Sequence, residues 1–360
     1  MIRIAYVINY IVKNGPSSVI LNIINNLDKS RYDISLITLF NGNNQEVIAT
    51  LRQNGVTVYE CTSLSRMKCI FGSQKEFDAL IKSLGFDILH THGLIPDLLA
   101  SRLDAPVSRI STLHNNMYED YRDTYGPWKS RIFTAIHLSA LTKMDRCVCC
   151  SKSVYDVMHL KLKHATYIRN GIEPVKARTV VTRHNLHIPE NASVFLYAGV
   201  LFPRKNVRWL IKNFCSCRME NEYLLILGRG KKLQECQSAA DDHVKFLGFK
   251  SDPVAFMNIS DVYVSASRSE GFSISVLEAL SSGLGLFLSA IPSHKEVVEM
   301  ADSVYIGEAF DESSFVAKLQ ILRRNYERLD KSRIRAWQEE HLSAKKMAEQ
   351  YMKVYKKVTE

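Results

Sequence analysis

The chain predicts an α/β protein built from two doubly wound domains in succession. Strand-like apolar runs alternate with helical patterns through the first half, which implies crossover units and a parallel sheet covered on both faces. The alternation lapses over residues 172–190, where Pro174, Pro189 and a polar, basic stretch read as a connection, and then restarts. At 360 residues the chain is also too long for one small core. The expected domains are 1–172, a linker 173–192, 193–335, and a final helix 336–360.

Ile2–Ile8 is an apolar strand, and Ser17–Leu27 carries Val19, Ile20, Ile23, Ile24 and Leu27 at helical spacing. Tyr32–Phe40 and Val56–Cys61 read as strands, Phe77–Leu84 as a helix, and Asp87–Thr91 as a strand ending in His90-Thr-His-Gly. Val107–Leu113 is a strand ending at His114; Trp128–Lys143 is a helix, Asp145–Cys150 a strand and Ser151–Leu160 a helix. In the second half, strands are expected at Ser193–Ala198, Tyr223–Leu227, Val244–Leu247, 261–267 and Leu284–Ser289, with helices at Val207–Phe214 and Asp252–Ile259. The tail from Asp311 is two long, charged helical patterns.

A hydrophobic fraction of 46% with 23% charged residues is that of a soluble globular protein, and no apolar run is long enough to span a bilayer. The N-terminus enters a strand directly, without the order of a signal peptide, so a cytoplasmic location is expected. The eight cysteines lack paired C-x₂-C knuckles; free thiols are expected and a metal is not. A formal charge of +10 favours anionic partners, and no nucleic-acid-binding signature accompanies it. The Met117–Arg131 segment and the following helix mix aromatic and basic residues. Trp128, Ile132 and Ile136 recur every four positions, which fits a membrane-surface contact or, with more weight, a stripe facing a sheet.

In open α/β sheets ligands bind at the carboxyl edge of the strands, so the turns there carry the chemistry. The main one is Ser267–Gly283, SRSEGFSISVLEALSSG, a strand end, a tight turn at Glu270-Gly271 and a helix start. Free N–H groups at a helix start suit a phosphate. Glu278 follows Glu270 by eight residues; Ser275-Val-Leu-Glu278 also has capping-box spacing, which would give Glu278 only a local role. Arg204-Lys205 lies in the turn after the strand at 193–198 and could hold a diphosphate or be a solvated basic turn. His114 could donate to a substrate hydroxyl or be structural, and His90 and His92 share that edge. The first loop, Asn14-Gly-Pro-Ser-Ser, is neither a dinucleotide nor a Walker A sequence; Gly15 would at most let an anion approach.

Together with DILHTHG at 87–93, STLHNN at 111–116, IRNGIE at 168–173, LYAGVLFPRKN at 196–206, LLILGRG at 224–230 and VKFLGF at 244–249, these residues resemble glycosyltransferase family 4. The resemblance spans nearly the whole chain and is strongest in the paired glutamates Glu270 and Glu278, which match the family's E-x₇-E signature. It implies the GT-B fold, two facing Rossmann-like domains with the last helix returning to the first. It also implies a retaining, metal-independent transfer from a nucleotide-diphosphate sugar, with no cofactor.

By that resemblance Lys205 with Arg204 would bind the donor's diphosphate, aided by backbone at Gly15 and at Gly271, Phe272, Ser273 and Ile274. Glu270 would hold hydroxyls of the transferred sugar and Glu278 the ribose; Gly248 and Phe249 would meet the nucleobase, and His114 the sugar. Val200 stands where the family commonly has arginine, and the first loop lacks the usual acidic residue. The implied activity is hexosyl transfer, with a UDP-sugar favoured, to a saccharide acceptor. A lipid-linked acceptor would bring a peripheral contact with the inner membrane surface. The competing readings are an epimerase or hydrolase acting on the same donor, and a non-catalytic nucleotide-sugar-binding protein.

Overall fold

The computed structural model describes residues 1–61, 65–71, 74–301 and 303–360. The chain divides into two compact units, residues 1–171 with 344–360, and residues 172–343.

The first unit carries seven strands: β1 (Ile2–Ile8), β2 (Tyr32–Thr38), β3 (Thr57–Glu60), β4 (Ile88–His92), β5 (Ser108–Leu113), β6 (Arg146–Cys149) and β7 (Ala165–Tyr167). They form one sheet in the order β3-β2-β1-β4-β5-β6-β7, every paired strand parallel. The order reverses between β1 and β4, which opens a crevice at the carboxyl edge there. Parallel strands covered on both faces must be apolar throughout, and the second half of β1 is buried without interruption from Ile4 to Val7.

The expected helix at Trp128–Lys143 is longer, Met117–Leu141, and bends at Gly126 (φ 79°), before Pro127. Tyr121 before the bend donates to Nδ1 of His137 after it at 2.6 Å, and His137 donates from Nε2 to the fully buried Asp97 at 2.7 Å. Asp97 also accepts from Ser111 at 3.0 Å and from Thr91, so one carboxylate ties both halves of the bent helix to the ends of β4 and β5. The apolar stripe expected to face the sheet does not do so throughout: Trp128 is 78% exposed and Ile132 61%. The buried positions between Trp128 and Lys143 are Ser130, Thr134, His137, Ala140 and Leu141, because the Asp97 network fixes the helix's rotation.

The second unit holds β8 (Ser193–Ala198), β9 (Glu222–Leu227), β10 (Val244–Gly248), β11 (Val262–Ser265), β12 (Gly285–Ser289) and β13 (Gly307–Phe310). Its parallel sheet runs β10-β9-β8-β11-β12-β13, with the reversal between β8 and β11. Phe195, Leu210, Phe214, Phe287, Phe310 and Phe315 sit in its core. The segment expected as a linker is tied into this unit: Asp252 accepts from the backbone of Arg178 and Thr179 at 2.7 and 2.8 Å, and Arg183 pairs with Asp261 at 3.0 Å.

The end of the chain is shared between the units. The Lys331–Leu342 helix belongs to the second, while the Ala344–Thr359 helix packs in the first, so the return to the first unit begins at residue 344 and not at 336. Tyr351 and Tyr355 of that last helix are fully buried. Tyr355 bonds Tyr6 at 2.7 Å and Nδ1 of His90 at 2.8 Å; Tyr351 bonds Thr112 at 2.9 Å. Among the described residues no helix is long and apolar enough to cross a membrane.

Candidate active site

In the second unit the expected site residues lie on the two loops that flank the strand-order reversal. The loop after β8 turns at Pro203–Lys205 and leaves through Asn206, whose φ of 52° is a left-handed corner that asparagine tolerates. The neighbouring loop closes on it: a Cβ on Gly228 would lie 1.8 Å from the Gly199 carbonyl oxygen, so glycine is required there for the two turns to touch. The loop after β11 is pinned to the first by two bonds. Arg268 N–H donates to the Arg204 carbonyl at 2.8 Å, and the Arg204 guanidinium donates to the Ser269 carbonyl at 2.6 Å.

That arrangement brings Arg204, Lys205 and Glu270 together. Lys205 donates to one carboxylate oxygen of Glu270, and Arg204 lies 3.4 Å from the other. Burial by itself would raise the Glu270 carboxyl; the two cations outweigh it and hold it down to about 2. Glu270 is therefore a fixed negative charge, and the cations are a charged seat beside it. An ion pair this far from water gains little stability from its own attraction, since desolvation opposes it. Its placement at the sheet's carboxyl edge is better explained by ligand binding.

The Ile274–Ser281 helix starts directly behind this group, with Ser273 at its N-cap and no side chain capping it. The first-turn N–H groups of a helix have no acceptor within the helix. Because the helix begins at Ile274, the capping-box reading of Ser275 and Glu278 is incorrect: Ser275 is already inside the helix and Glu278 lies a turn beyond its start. Burial pushes the Glu278 carboxyl up to about 7. The Pro292–Met300 helix is likewise uncapped by a side chain, with Ile291 at its N-cap.

Of the other expected residues, Gly271 and Phe272 are buried and Phe272 is 3% exposed, so its ring packs inward. Gly248 (φ 71°) ends β10 and the exposed Phe249 follows it, with the Arg229 guanidinium 4.7 Å from the Phe249 ring centre. Gly248 accepts from Gly228 N–H at 2.8 Å, which links this turn to the one beside Gly199.

In the first unit Gly15 is the first residue of a helix that begins two residues before the expected Ser17, with Asn14 capping it through a bond from Ser17 N–H at 3.0 Å. His114 follows β5 and is half-buried; its Nε2 lies 2.9 Å from Nδ1 of His92, which ends β4. Burial lowers His114 to about 4, so its ring is neutral near pH 7.

One residue of the second unit was not anticipated. His294, in the first turn of the Pro292–Met300 helix, is 1% exposed and interacts electrostatically with Glu270 and Lys205. Its Nδ1 lies 3.0 Å from the Ser289 carbonyl, which fixes the proton on that nitrogen. The available signal was its position just past the end of the strand adjacent to β11.

Comparison with known proteins fits this geometry. Residues 13–176 match the family model described as Glycosyltransferase Family 4, and residues 181–338 match that of Glycosyl transferases group 1. The O-antigen biosynthesis glycosyltransferase WclY of Escherichia coli is 26% identical, with 98% of each chain covered. A UDP-Gal:alpha-D-GlcNAc-diphosphoundecaprenol alpha-1,3-galactosyltransferase of the same organism is 25% identical, over 88% of this chain and 87% of that one. The crystal structure of Anabaena HepE in complex with UDP-glucose superposes with a TM-score of 0.80 at 13% identity, covering 99% of this chain and 100% of that one. With two parallel-sheet Rossmann-like units and both halves matched, the chain belongs to glycosyltransferase family 4 and has the GT-B fold.

Proposed function

We propose that this glycosyltransferase moves a hexosyl group from a nucleotide-diphosphate sugar, a UDP-sugar by preference, to a saccharide acceptor in polysaccharide synthesis, with retention at the anomeric carbon. The observation that carries this reading is the Arg204–Lys205–Glu270 group at the β8/β11 reversal, beside a helix start. Two cations there would stabilise the charge that develops on a leaving diphosphate, the role a metal would otherwise fill. Glu270 would then hold hydroxyls of the transferred sugar, Glu278 the ribose and Phe249 the base, with His114 hydrogen-bonded to the sugar. In a retaining transfer the leaving phosphate oxygen takes the acceptor's proton on the face from which it departs.

The preference for UDP is supported by the UDP-sugar named for two of the similar proteins, and a lipid-linked acceptor by the diphosphoundecaprenol substrate named for one. A membrane-bound acceptor also fits Trp128 and Ile132, exposed on one helix face with Lys129 and Arg131 and followed by no acidic residue as far as Lys143. The test is to incubate purified protein with UDP-, GDP- and ADP-sugars, with and without a sugar-diphospho-lipid acceptor, and to read the anomeric configuration of the product by NMR. Sugar converted without acceptor would replace this reading with an epimerase or hydrolase. Binding without turnover on any acceptor would make it a binding protein.

A further inference from the structure

We propose that His92 is the positioning residue for His114: it donates its Nδ1–H to Nε2 of His114, which fixes the His114 proton on Nδ1 and presents that ring to its ligand as a hydrogen-bond donor. Only the identity of that ligand rests on the function proposed above. The two nitrogens are 2.9 Å apart, with the ring centres 5.2 Å apart and the ring planes within 28° of each other, as an in-plane N–H···N bond needs. Burial holds both rings neutral near pH 7, lowering His92 well below its ordinary value and His114 to about 4. Between two neutral imidazoles one nitrogen must donate and the other accept, so only two arrangements exist.

The far side of His92 decides between them. Its Nε2 is buried and has no hydrogen-bond partner among the described residues. Were His114 the donor, the His92 proton would sit on Nε2 as an orphaned buried N–H. With His92 as donor, Nε2 keeps a bare lone pair. A buried donor without an acceptor is the rarer case, and leaving a buried group unpaired costs its desolvation. His90, whose ring lies 4.4 Å away, cannot relieve it, because Tyr355 and Thr112 occupy both its nitrogens at 2.8 Å. His114 Nδ1, by contrast, has no hydrogen-bond partner among the described residues, and its residue is half-buried, so that N–H is available to a ligand oxygen. His114 then stabilises charge on oxygen as a neutral donor and does not act as a proton acceptor.

The proton's place can be read on the full chain by two-bond ¹H–¹⁵N correlation NMR of the imidazoles, assigned with His114→Asn. The expected wild-type pattern for His114 is a protonated Nδ1 and an acceptor Nε2. His92→Leu should lose that pattern. His92→Asn, whose amide N–H falls near the original Nδ1, should restore it. Sugar transfer should fall roughly tenfold or more in kcat with His92→Leu and recover in the asparagine variant, with little change in donor KM. A wild-type proton on Nε2, or a His114 pattern unmoved in His92→Leu, overturns the proposal. If the leucine variant does not fold, the wild-type and asparagine spectra still decide. The spectra do so even if no transfer is found, an outcome that would fault the functional reading instead.

Discussion

Lys205 donates to the same carboxylate, Glu270, that Arg204 approaches at 3.4 Å, so the site's cations are already engaged by an acidic side chain of their own unit. A diphosphate that uses Lys205 and Arg204 must compete with Glu270 for them. On the proposed function, Glu270 would oppose the binding of the leaving group while it organises the two cations that would receive it.

Glu270→Gln should lower turnover by about a hundredfold or more, because it removes a group assigned to the transferred sugar. It should leave UDP affinity unchanged or improved, because the cations are released. Lys205→Ala should weaken UDP and turnover together. Calorimetric titration with UDP beside a transfer assay separates the two; near-normal turnover in both variants would end the site assignment.

Glu278 makes stability depend on pH in a definite direction. Its folded value of about 7 lies above the ordinary 4.5. Its contribution is therefore fully present below pH 4.5 and is lost as pH rises through 7, where the buried carboxyl must ionise. Glu278→Gln should stabilise the protein at pH 8, on the order of 2 kcal/mol, and have little effect near pH 4. Thermal melts at the two pH values measure this, and an equal shift at both would contradict it.

Tyr355→Phe removes one hydroxyl and unpairs two buried partners, Tyr6 and Nδ1 of His90. The expected loss is about 1–3 kcal/mol, read from urea unfolding. A variant as stable as the parent would show that this junction does not depend on its hydrogen bonds.

Trp128 and Ile132 should direct binding to lipid. Of the three tryptophans, Trp337 is buried and Trp209 packs on Phe315, so a blue shift with vesicles reports mainly on Trp128. Vesicles containing phosphatidylglycerol should bind and neutral ones should not. Trp128→Ser and Ile132→Ser should each weaken binding about tenfold, given roughly 1.5–3 kcal/mol for burying such a side chain. Unchanged co-sedimentation of both variants would exclude this face.

The strands were legible because strands of a covered parallel sheet are apolar along their whole length, as β1 and β8 are. The Leu94–Arg102 helix was not, since Ile95 through Ser101 are all buried and a helix without a polar face shows no period. Trp128 misled for the opposite reason: spacing of four gives a stripe but not the side it faces. Lys205 and Glu270 were named from the sequence, but their pairing joins residues 65 apart and needed the fold. His92 and His294 gain their meaning from partners that spacing does not reveal.

The last helix has a consequence for synthesis. Tyr351 and Tyr355 fill the interior of a unit whose residues 1–171 are translated before residues 172–343, yet the two tyrosines themselves are translated after them. The amino-terminal half must wait, its sheet uncovered at β1 and β4, while residues 172–343 can already close on themselves. Completion thus runs against the usual vectorial order, and a chain released just before Ala344 would hold a finished 172–343 unit beside an unfinished amino-terminal one.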